Sequence, residues 1–124
     1  MNFIRRILSL FPFAYAASGV AAPDQVSRVE IRDASFHLIR ELTSDEEVGR
    51  FKEMWASKVK LTQSESKEAA LGLTYKLDVS SGTRSTRWLY SPRGSVVVLS
   101  VFLSPIYQLP DPKAFNELVG ALQP

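Results

Sequence analysis

Along "LGLTYKLDV", residues 71–79, apolar side chains take every second position. Leu71, Leu73, Tyr75, Leu77 and Val79 alternate with Gly72, Thr74, Lys76 and Asp78. A period of two predicts a β-strand with one buried face and one wet face. "SSGT" follows, and Gly82 can take the positive φ of a tight reversal, so the chain returns through "RSTRWLY". It turns again at "SPRG" and leaves through "SVVVLSVFL". There Val97, Leu99, Val101 and Leu103 share one face, and Val96, Val98 and Phe102 share the other. Two adjacent hairpins predict an antiparallel meander. A strand apolar on both faces requires cover on both, so the last of the three is expected to be central or shielded by helices. Left bare, such a strand is an aggregation hazard.

Upstream, "QVSRVEIRDASFHLIREL" carries the same period in two pieces, with Val29 and Ile31 on one face and Phe36 and Leu38 on another. The change of parity places a tight turn or bulge at "RDAS" between two short strands. In "TSDEEVGRFKEMWASKVKL" the spacing becomes helical: Val48, Phe51, Trp55 and Val59 fall three, four and four apart. Thr43 or Ser44 caps a helix expected from Ser44 to Val59, and Asp45, Glu46 and Glu47 suit the positive end of its dipole. "TQSESKEAA" has no apolar stripe and reads as a solvated loop or frayed helix end. After "SPIYQLP", Asp111 caps a last helix with Pro112 in its first turn and Phe115, Leu118, Val119 and Leu122 as its stripe. The expectation is an α+β fold, an antiparallel sheet of about five strands in the order β-β-α-β-β-β-α with helices packed on one face.

The segment before these elements differs in kind. "MNFIRRILSLFPFAYAASGVAAPDQ" has a basic start at Arg5 and Arg6, an apolar run from Ile7 to Ala17 and a tail of small residues, the layout of a secretory signal peptide. Cleavage is expected after Ala21, with Gly19 and Ala21 small at the recognition positions, and after Ala16 as the alternative. Residues 1–21 are then a leader and residues 22–124 a single small domain. The apolar run contains Pro12 and falls short of the roughly 18 to 20 residues that span a bilayer, so no membrane span is expected after cleavage. "FIRRILS" lacks the rest of a twin-arginine pattern, which leaves the general secretory route and a periplasmic or secreted address.

Removing that leader changes the charge argument. The whole chain has 15 basic and 13 acidic residues and a pI near 9.0, but both excess charges sit at Arg5 and Arg6. The remaining domain is formally neutral, which argues against nucleic acid as a partner. With 45% hydrophobic and 23% charged residues the chain has a globular composition. It has no cysteine, so lipobox attachment, disulfides, thiol catalysis and thiolate metal sites are all excluded.

Catalytic chemistry finds little footing. His37 is the single histidine, which rules out the usual multi-histidine metal sites, and beside Phe36 and Leu38 it reads as a half-exposed strand residue. Asp45, Glu46 and Glu47 are explained by helix capping, and Asp78 by a cross-strand pairing with Arg87. No metal, cofactor or catalytic residue is assigned. The remaining candidate is "RSTRWLYSPRG", where Arg84, Arg87, Trp88, Tyr90 and Arg93 combine the residue types of interface hot spots. Alternation sets Thr86, Trp88 and Tyr90 on one face and Ser85, Arg87 and Leu89 on the other, so Trp88 and Tyr90 either join the buried face of Leu73, Tyr75 and Leu77 or form an exposed edge. The reading that follows is an exported, non-catalytic interaction protein, such as an inhibitor, an immunity-type factor or an envelope accessory, whose partner is another exported or envelope protein. The alternatives are a domain that binds a small ligand or cell-wall fragment between walls of Trp55, Trp88 and Tyr75, and an unusual hydrolase.

Overall fold

The computed structural model describes residues 25–100 and 103–124. The expected leader lies outside the described residues, as do Val101 and Phe102. The elements run β1 Arg28–Arg32, β2 Leu38–Leu42, α1 Asp45–Ala56, β3 Val59–Lys60, α2 Gln63–Ala69, β4 Tyr75–Ser81, β5 Arg84–Tyr90, β6 Ser95–Val98, β7 Tyr107–Gln108 and α3 Pro112–Val119. All seven strands join one antiparallel sheet in the order β2-β1-β4-β5-β6-β7-β3. The α+β class is as expected. The two additional strands, β3 and β7, are two residues each, too short to carry a period, and they pair with one another at the far edge.

The meander forms where alternation placed it. Gly82 reverses the chain at φ 65°, and the register sets Leu77 opposite Trp88, Asp78 opposite Arg87 and Val79 opposite Thr86. β4 begins only at Tyr75, because Gly72 at φ 77° turns the chain first; Leu71 is therefore an exposed loop residue rather than a strand residue. β6 stops at Val98 and does not continue to Leu103, and both Leu99 and Leu103 are exposed. The first two strands meet at the expected irregularity between Ile31 and Arg32. Phe36 belongs to the turn and not to a strand face: its φ is 66°, and its carbonyl accepts a bond from Arg32.

Capping settles the helix ends. Ser44 accepts from the Glu47 N–H at 3.2 Å and starts α1. At the other end the Ser57 hydroxyl donates to the Met54 carbonyl at 2.6 Å and Lys58 Nζ to the Trp55 carbonyl at 3.3 Å. The chain leaves the helix there, so Val59, expected on the helix's apolar face, is instead an exposed residue of β3. The segment read as a loop or frayed end forms α2, held by a full capping box between Thr62 and Glu65 but burying no side chain. Asp111 caps α3 with Pro112 in its first turn, and Gly120 ends it at φ 78°. Leu122 falls beyond that stop and is 78% exposed, outside the stripe expected to contain it.

One face of the sheet carries the core. Trp55 stacks on Phe51 and meets Trp88 edge-on at 4.9 Å, while Phe115 of α3 packs on Tyr90 at 5.1 Å. Each such buried aromatic stabilises the fold by roughly 1.5–3 kcal/mol. Arg40, on the same face of β2, donates to the Glu117 and Leu118 carbonyls at 3.0 and 3.1 Å, placing a cation at the negative end of α3. α1 and α3 thus cover the inner face. α2, a helix beyond the two expected, borders the outer face, where it lines a groove with Ser95 and Gln108. Among the described residues no helix is long and apolar enough to cross a membrane.

Candidate binding site

The arginine and aromatic residues of 84–94 do not form one surface. Trp88 is 4% exposed and Tyr90 is fully buried, so both belong to the core and are closed to a partner. Burial also pushes the Tyr90 phenol well above its ordinary range. Its hydroxyl donates to Asn116 Oδ1. Arg87 lies on the outer face and is committed to Asp78, its Nε and Nη2 donating to the two carboxylate oxygens at 2.6 and 2.8 Å. This is the expected cross-strand pair, but its Asp78 side chain is only 13% exposed, less wet than alternation implied. Arg32 lies 3.6 Å from the same carboxylate, and the Phe36 ring covers Lys76 and Arg87. Arg84 is exposed at the opposite end of β5, paired across from Ser81. Arg93 stands apart from all of them.

Arg93 sits in a turn fixed from several sides. The Gly94 N–H donates to the Ser91 carbonyl at 2.8 Å and the Arg93 N–H to Ser91 Oγ at 3.2 Å. Gln108 Nε2 donates to the Arg93 carbonyl at 2.9 Å, and Asn116 Nδ2 to the Pro92 carbonyl at 2.9 Å. Gly94 is required, since its φ is 103° and a Cβ there would collide with Gln108 and Pro112. The Arg93 guanidinium is exposed and makes no ion pair among the described residues.

A groove of about 360 Å³ opens on one side of Arg93, between α2 and the outer face of β6 and β7. Leu61, Ala69 and Leu71 give it an apolar lining, buried Ser95 and half-buried Gln108 a polar one, and exposed Glu65 and Glu68 two carboxylates. Ser95 is only 2% exposed, yet its hydroxyl has no hydrogen-bond partner among the described residues. Gln108 spends both amide hydrogens on the Arg93 and Leu109 carbonyls, which leaves its oxygen as an open acceptor. A second depression of about 340 Å³ lies on the far side of Arg93, beside Leu71, Thr74 and Pro92.

The outer sheet face continues from this groove as an apolar surface. The register sets Leu89 opposite Val97, both half-buried, and the Leu99 N–H reaches the Arg87 carbonyl, so exposed Leu99 extends the same face. Sequence alternation already separated Leu89 from Trp88 and grouped Val97 with Leu99. Ser95 and Gln108 had no such signal, because only the β6–β7 pairing brings them together.

Other chemistry is dispersed. His37 sits in the exposed turn before β2, with Nδ1 3.5 Å from Asp33, rather than in a strand. Asp33 is lowered below the usual carboxylate range by the His37 and Ser35 backbone N–H groups. Lys58 Nζ lies 4.5 Å from the Trp55 ring and 5.4 Å from both Trp88 and Tyr107. The ring faces favour its ammonium, but burial outweighs them and lowers the group to about 8. Trp55 and Trp88 pack against each other, and Tyr75 accepts the Leu122 N–H at 3.2 Å, so these three rings do not wall a cavity. No group of three or more metal-binding side chains converges among the described residues. Comparison with protein-family models, with curated proteins and with solved structures finds no match to this chain.

Proposed function

We propose that this chain is an exported, non-catalytic interaction protein that binds another exported or envelope protein through its outer sheet face. The observation that carries the reading is the apolar surface of half-buried Leu89 and Val97 and exposed Leu99 beside Arg93, whose guanidinium has no ion-pair partner among the described residues. Apolar surface flanked by an arginine is the composition of an interface centre. The role fits an inhibitor, an immunity-type factor or an envelope accessory, and needs neither cofactor nor nucleic acid. Arg87 contributes only through Asp78, as part of the scaffold beneath the surface.

Immobilised protein incubated with periplasmic extract tests the proposal. The wild type is expected to retain a defined partner that the double variant Leu99→Glu, Arg93→Glu releases, while Arg84→Ala retains it. Equal capture by wild type and double variant refutes the assignment of this face.

A further inference from the structure

We infer that the groove between α2 and β6–β7 receives the C-terminal carboxylate of a partner polypeptide whose last side chain is apolar. This rests on the reading that a protein docks on this face, and it names the chemistry that the docking segment must present.

The groove separates its polar groups by kind. Its lining includes two donors with no other duty among the described residues: the exposed Arg93 guanidinium, and the Ser95 hydroxyl, which has no protein partner and opens on the groove. A hydroxyl that opens on the groove can donate to an acceptor that enters it. A carboxylate provides two oxygens, enough for both donors. Beside them the Gln108 oxygen is an open acceptor, suited to the backbone N–H of the residue that carries the carboxylate. Leu61, Ala69 and Leu71 line the same groove and match an apolar side chain.

A terminal carboxylate joins all these features within one residue, because charge, N–H and side chain share a single Cα. An internal Asp or Glu sets its carboxylate at the end of its own side chain and leaves the apolar lining to another residue. The two groove carboxylates sharpen the choice further. Glu65 is occupied, its Oε1 accepting from the Thr62 N–H at 2.9 Å and the Thr62 hydroxyl at 2.8 Å. Glu68 has no partner among the described residues and favours a basic residue upstream of the terminus.

The test is an NMR titration of the full chain, produced in an exporting host, with an acetylated tripeptide of two alanines and a terminal leucine. It is used as the free acid and as the amide. The free acid is expected to shift the Ser95, Gln108 and Leu71 amides, to bind about tenfold more tightly than the amide, and to lose a similar factor in Arg93→Ala. Arg84→Ala, at the other end of β5, leaves the binding unchanged. Ser95→Ala weakens the acid and not the amide, which separates loss of a donor from loss of the fold. Equal binding of acid and amide, or shifts confined to other residues, overturns the inference. If partner capture responds to Leu99→Glu while the free acid does not bind, the groove chemistry fails and the docking face stands. If the acid binds in the groove and capture ignores both Leu99 and Arg93, the groove stands and the face fails.

Discussion

Replacing Asn116 by Ala examines the support under the Arg93 turn. Asn116 is 1% exposed and makes three side-chain bonds: it accepts from the Tyr90 hydroxyl and donates to the Pro92 carbonyl at 2.9 Å and to Gln123 at 3.0 Å. Alanine orphans the buried Tyr90 hydroxyl at a cost of about 1–3 kcal/mol, and loses two further bonds worth roughly 0.5 kcal/mol each, since their other ends reach water. The better helix propensity of Ala returns about half a kcal/mol. The expected net loss is about 2.5 kcal/mol. With a urea slope of about 1.5 kcal/mol/M it lowers the unfolding midpoint by more than about 1.5 M. Tyr90→Phe alone orphans Asn116 Oδ1 and costs about 1–2 kcal/mol, but in the Asn116→Ala background it costs little, because the shared bond is already gone. A double-mutant cycle by urea unfolding therefore yields a coupling of about 1 kcal/mol or more. A loss below about 1 kcal/mol for Asn116→Ala, or strictly additive losses, refutes this account of how α3 holds the turn.

The pH dependence of stability follows from two buried groups. Lys58 is held at about 8 when folded against roughly 10.4 when unfolded, so between those values the unfolded chain binds more protons and stability rises with pH. Above about pH 10 the trend reverses, because Tyr90 ionises in the unfolded chain while burial keeps it protonated in the fold. Urea midpoints from pH 7 to 11 should show this maximum and Lys58→Met should flatten its rising limb; a flat wild-type profile contradicts both assignments. Gly94→Ala forces a Cβ against Gln108 and Pro112 at φ 103° and is expected to cost about 2 kcal/mol and to broaden the Ser95 and Gln108 amide resonances. Unchanged stability there means the turn relaxes freely. Asp78→Ala strips Arg87 and Arg32 of their carboxylate; Arg87 is 38% exposed, so solvent screening limits the loss to about 1–2 kcal/mol by thermal unfolding.

What the sequence revealed, and what it hid, follows the range of each signal. The β4–β5 hairpin was legible because its information is local: alternation sets the faces, Gly82 sets the reversal, and together they place Asp78 against Arg87. β3 and β7 were not, because Lys60 and Tyr107 become neighbours only through the tertiary fold. Val59 and Leu122 continued helical stripes on paper, but the Ser57 bond to Met54 and the left-handed Gly120 ended each helix first. The site divides along the same line. Arg93 was identifiable as a turn arginine, whereas the Ser95 and Gln108 that give it a groove required the register of two distant strands. Trp88 and Tyr90 match it in composition, but alternation separates them from Arg87.

β6 shows where such reasoning stops and what it still carries. Its apolar residues on both faces predicted cover on both. The chain covers Val96 completely, while Val97 remains half-exposed and Leu99 is exposed on the other side. Periodicity reports that a surface is apolar; it does not specify whether the cover belongs to the same chain. The groove beside Val97 and Leu99 holds a serine hydroxyl with no hydrogen-bond partner among the described residues and an arginine with no ion pair there. Exposed Leu99, the open Ser95 hydroxyl and Arg93 thus lie on one face, the face on which docking of another polypeptide is proposed.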